Sequence, residues 1–80
     1  MQNDSKRRIT GEDLRVIRAL RNVRSVDVAV VIDRATSTVS SIEAGNRKLD
    51  ELQSQAVMKA FNIDDDLLNL IRRTIRLSKI

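Results

Sequence analysis

Neither cysteine nor histidine occurs anywhere in the chain. Without thiols there is no disulfide, no thiolate metal site and no cysteine nucleophile. Without imidazole the commonest metal ligand and the usual general base at neutral pH are gone as well. A chain free of cysteine suits a reducing compartment, and a cytoplasmic location is expected. Proline is also missing, and glycine stands only at Gly11 and Gly45. Breakers that scarce favour helices joined by short turns. No apolar run reaches the roughly eighteen residues that a membrane span needs, so none is expected. Met1 to Arg8 is polar and lacks an apolar stretch, so no secretory signal is expected there.

There is no internal repeat and no low-complexity tract, and 80 residues make one domain with a modest core. No Gly-rich phosphate loop and no paired carboxylates in an evident cleft are present. An enzyme is therefore not expected, nor a cofactor or metal. Asp64, Asp65 and Asp66 lack the spacing of a calcium loop and read as a helix start.

The net charge of +4 is unevenly spread. Residues 1–48 hold ten Lys/Arg against six Asp/Glu, and residues 49–80 hold five of each. The first part is suited to meet an anion, the second to something else. Residues 1–9, with Lys6, Arg7 and Arg8, read as a flexible basic arm, either a solvated terminus or a phosphate contact.

The remainder, 10–80, reads as five helices. Thr10 and Asp13 form a capping box for the first, whose apolar positions are Leu14, Ile17 and Leu20 and whose end lies near Asn22. The second runs over about 25–32. Its valines favour strands, but Val28, Ala29 and Ile32 share one helical face and a strand would have no partner. After a turn at Asp33 and Arg34, the third helix covers about 36–44 and buries only Val39 and Ile42. Asp50 with Gln53 starts the fourth, whose expected buried stripe is Leu52, Ala56, Val57, Ala60 and Phe61. The fifth spans about 64–78, acidic at its start and basic at its end, as the helix dipole favours. Its Leu67, Leu68, Leu70, Ile71, Ile75 and Leu77 cover more than one stripe. That surplus predicts a homodimer through Leu67, Leu70, Ile71 and Ile75.

The stretch from Val23 to Lys48 has the form of a helix-turn-helix. Small Ala29 admits a close second helix, Ile32, Val39 and Ile42 fill the gap, and the outer face of the second helix stays free. Here the chain resembles the Cro and phage-repressor type (XRE-like) of helix-turn-helix regulators, over about residues 12–70. Leu14, Arg18, Ala29 and the run Thr38-Val39-Ser40-Ser41-Ile42-Glu43-Ala44-Gly45-Asn46-Arg47 carry the resemblance. It implies an all-α, compact five-helix lambda-repressor-like domain with its helix-turn-helix at about 25–44. It further implies a homodimer on a palindromic operator in double-stranded DNA and transcriptional control, with repression expected. It pairs Arg18 with Glu43 as a buried ion pair, and makes Thr36, Ser37 and Ser41, with Ser40 nearby, the base-reading positions.

Arg24, Ser25, Arg34, Asn46, Arg47 and Lys48 flank that face as backbone contacts. The chain departs from the family where Asp33 stands for a frequent glycine and Ser25 for a frequent glutamine. No Arg, Gln or Asn sits on the reading face, so no bidentate base contact is available. Four hydroxyl residues among Thr36 to Ser41 are poor helix formers, which points to a use. Two other classes stay open: an antitoxin-like or adaptor protein module that kept the fold, and a non-specific nucleoid-type binder. Arg15 and Arg21 read as solvating the first helix.

Overall fold

Most helix boundaries are set by a local chemical device. The computed structural model describes residues 8–79, so Lys6 and Arg7 of the basic arm lie outside the described residues. The order is α1 (Gly11–Arg21), α2 (Ser25–Ile32), α3 (Thr36–Glu43), α4 (Glu51–Ala60) and α5 (Asp65–Ser78), with no strand among the described residues. At α1 the Thr10 hydroxyl accepts from the Asp13 amide, and the Asp13 carboxylate accepts in return from the Thr10 amide at 3.0 Å. Asp50 and Gln53 repeat this exchange at α4. Asp64 accepts from the Leu67 amide at α5.

The helix ends are equally uniform. Helices α1 to α4 each run into a residue with positive φ: Asn22, Asp33, Gly45 and Asn62. The next amide then bonds back across the turn: Val23 to the Arg18 carbonyl, Arg34 to Ala29, Asn46 to Ser41 and Ile63 to Met58. This six-residue closure satisfies the orphan carbonyls of a helix end. Asn and Asp are the non-glycine residues that best tolerate that conformation. Asp33 therefore does the work of the glycine that the resemblance led one to expect there.

The core is one cluster, to which every helix contributes. α2 packs against α3 and α4, and α1 against α5 and α3. The valine-rich α2 is helical because Val28, Ala29 and Ile32 all point into that cluster. Three expectations need correction. Leu20 is half exposed, because it falls in the last turn of α1, beyond the core. Leu52 is 77% exposed and Ala60 is also exposed. Of the expected stripe Val57 is buried, Ser54 joins it on the inner face of α4, and Leu52 lies on the far side of the helix from Ser54.

The third correction is the arm, which does not extend to residue 9. Ile9 is buried, and its amide donates to the buried Ser54 hydroxyl at 3.0 Å. Arg72 of α5 donates to the Arg8 carbonyl at 2.6 Å and, through Nε, to the buried Asp13 carboxylate at 3.2 Å. Asp13 thus closes the start of α1 and ties α5 to it. A carboxylate that far from water is tolerable because its oxygens meet donors.

Gly11, in the first turn of α1, lies against the end of α3. A methyl group there would overlap the Ile42 carbonyl oxygen and crowd the Ile42 carbon and Glu43 Cα. In an ordinary helix position Gly→Ala stabilises by about 0.5–1 kcal/mol. Here Gly11→Ala is expected to destabilise by about 1–3 kcal/mol, because α1 and α3 must part. Urea unfolding checks this, and a gain in stability would contradict the close approach.

Candidate nucleic-acid interface

α3 contributes only Val39 and Ile42 to the core. Two buried side chains of that size contribute about 1.5–3 kcal/mol each, little for an eight-residue helix rich in Ser and Thr. Polar ties supply the rest. Nη1 of Arg18 in α1 donates to both carboxylate oxygens of Glu43, at 2.9 and 3.0 Å, and its Nε donates to the Val23 carbonyl at 3.2 Å. One guanidinium thereby joins α1, the α1–α2 turn and the end of α3. The pair is not fully buried: the side chains are 27% and 15% exposed. The open side faces water, which lowers the cost of holding two charges there.

The turn from α2 to α3 spans three residues, 33–35. Asp33 reverses the chain, and the Arg34 guanidinium donates to the Asp33 carbonyl at 2.8 Å. No side chain caps the start of α3. Its first amides and the positive end of its dipole are therefore available to an anion.

The candidate contact residues separate into three groups. Thr36, Ser37 and Ser40 are exposed and share one face of α3. Arg34, Asn46, Arg47 and Lys48 are exposed around that helix, and no acidic partner is paired with Arg47 or Lys48 among the described residues. Ser41 and Ser25 are half-buried. Arg24 is exposed but held by Asp27, whose carboxylate accepts its amide at 3.0 Å and meets its Nε at 3.4 Å.

The Asp27 carboxyl is held below the usual carboxylate range, first by that backbone hydrogen bond and then by the Arg24 side chain. The α2 cap is therefore complete above the unfolded carboxylate pKa and is lost as pH falls through the lowered folded value.

Several ties left no mark that sequence reasoning recognised. Arg21 does not merely solvate α1: it donates to the carbonyls of Phe61 and Asn62, both at 3.0 Å, and so caps α4 with a cation. The Asp13–Arg72 and Ile9–Ser54 contacts span 59 and 45 residues. The capping box at Thr10 was the available sign that Asp13 mattered. Among the described residues no group of three His, Cys, Asp or Glu could hold a metal ion. No helix among them is long and apolar enough to cross a membrane.

No family model, no curated protein and no solved structure matches the chain.

The half-buried setting of Arg18 and Glu43 sets the size of the expected mutational effect. Exposed pairs contribute up to about 1 kcal/mol, and hydrogen bonds to charged groups about 1.5–3 kcal/mol. Glu43→Ala is expected to cost about 1.5–3 kcal/mol in urea unfolding. A loss under about 0.5 kcal/mol would mean that α3 does not depend on this tie.

Proposed function

We propose that this chain is a DNA-binding transcriptional regulator, a repressor of the Cro and phage-repressor type with a lambda-repressor-like domain, acting from the cytoplasm and without a cofactor. One observation carries the reading: α3 presents Thr36, Ser37 and Ser40 outward while its opposite side is fastened to α1 and α2. A helix with one locked and one open polar face is what entry into a major groove requires. Arg34, Arg47 and Lys48 stand exposed on either side of it in sequence, suited to phosphates. The hydroxyls can bond to phosphates or to several bases, and the Thr36 methyl can touch thymine. Specificity then draws on Asn46 and on duplex deformability.

The dimer belongs to the same proposal, with one residue removed from it. Ile71 lies in the protein's own core, and Leu67 and Ile75 are partly buried against that core. Leu70 and Leu77, seven residues apart on α5, are 54% and 60% exposed. They form the centre of the proposed interface, with Leu67 and Ile75 at its margin. A two-fold axis there would set two α3 helices about 34 Å apart, one turn of duplex. A second reading, a protein-binding adaptor, draws on the absence of any bidentate base reader on α3.

Two outcomes follow. Arg47→Ala is expected to weaken binding to all duplexes about equally and to lower the salt-dependence slope by roughly one. A change of sequence preference at constant slope would reassign Arg47. In sedimentation without DNA, wild type is expected as a dimer at micromolar concentration and Leu70→Glu/Leu77→Glu as a folded monomer. A wild-type monomer, or a variant that stays dimeric, would contradict the α5 interface.

A further inference from the structure

α2 turns part of its apolar surface outward. Val26 and Val30, four residues apart, are 43% and 75% exposed, on the side of the helix away from the buried Val28 and Ile32. Valine is a weaker helix former than the residues usual at open helix positions, and the core does not need these two. They line an open trough that continues over Ala35 to Thr36, the first residue of α3. Val26, Val30, Ala35 and Thr36 are all exposed, so the apolar surface of the trough is accessible. Asp33 and Arg34 line it as well. Their charges are opposite, so the trough suits an uncharged apolar group better than a phosphate.

We infer, resting on the DNA reading of α3 above, that this trough takes the 5-methyl group of a thymine, with Val26 and Val30 as its wall and the Thr36 methyl beside them. The thymine methyl is the apolar group that the base pairs present in the major groove. Thr36 belongs both to the trough and to the outward face of α3. A base edge met by that face therefore comes beside the valines. α3 carries no Arg, Gln or Asn for a bidentate base contact. Apolar contact is then the direct way left to this helix to tell thymine from the other bases, and α2 supplies most of its surface.

The test uses duplexes that the full chain selects from a random pool, resynthesised with deoxyuridine in place of one thymidine at a time. Uracil keeps the hydrogen-bonding edges of thymine and lacks only the methyl. At one thymine position per half-site, the replacement should weaken binding about threefold to tenfold, as loss of one buried methyl does. Val26→Ala/Val30→Ala, at two exposed helix positions, should stay folded by circular dichroism and cut that ratio to under about twofold. A wild type indifferent to uracil at every position overturns the trough and leaves the DNA reading standing. A folded variant that keeps the full wild-type ratio overturns it too, since the methyl is then read elsewhere, and so does duplex binding with no preferred sequence. A chain that retains no duplex at low salt overturns the DNA reading and the trough with it.

Discussion

α3 has to be held by very little. It buries two side chains, and every further apolar residue on it would cover surface that stands open. The Arg18 guanidinium resolves this by reaching across from α1 to Glu43 while also bonding to the Val23 carbonyl. A polar tie can fix a helix end without adding apolar bulk, at the cost of desolvating two charges. Partial exposure on the open side keeps that cost low. Gly11 completes the arrangement by letting the start of α1 come against the Ile42 carbonyl.

The same economy runs through the rest of the chain. A small domain buries too little apolar surface to rely on it alone. Long side chains therefore close helix ends and cross between elements at once. Asp13 caps α1 and receives Arg72, Arg21 caps α4 from α1, and Ser54 receives the amide of Ile9. Among the described residues no buried side-chain polar atom lacks a partner. These ties join segments far apart in the chain, and they place residues 8–11 beside the loop that follows α3.

What could be read from the sequence was mostly local. Thr10, Asp50 and Asp64 marked helix starts, and Asn22 and Asp33 marked ends, because caps depend on residues three or four positions apart. Val28, Ala29 and Ile32 identified the inner face of α2 by spacing alone. Arg18 and Glu43 came into view through the resemblance, since no spacing rule joins positions 25 residues apart. Apolarity misled where it had to choose among faces. Leu52 is outward because Ser54 is needed inside as an acceptor, and Ile71 belongs to the core while Leu70 does not. Ile9 was hidden by the basic residues before it.

The central claim is that the open face of α3 reads double-stranded DNA, with two copies acting together. Selection of bound duplexes from a random pool tests it most directly. The account predicts enrichment of a palindrome whose half-site centres lie about one helical turn apart, with modest preference at each position, since hydroxyls replace bidentate readers. Recovery of no enriched sequence, together with no retention of duplex at low salt, would contradict it.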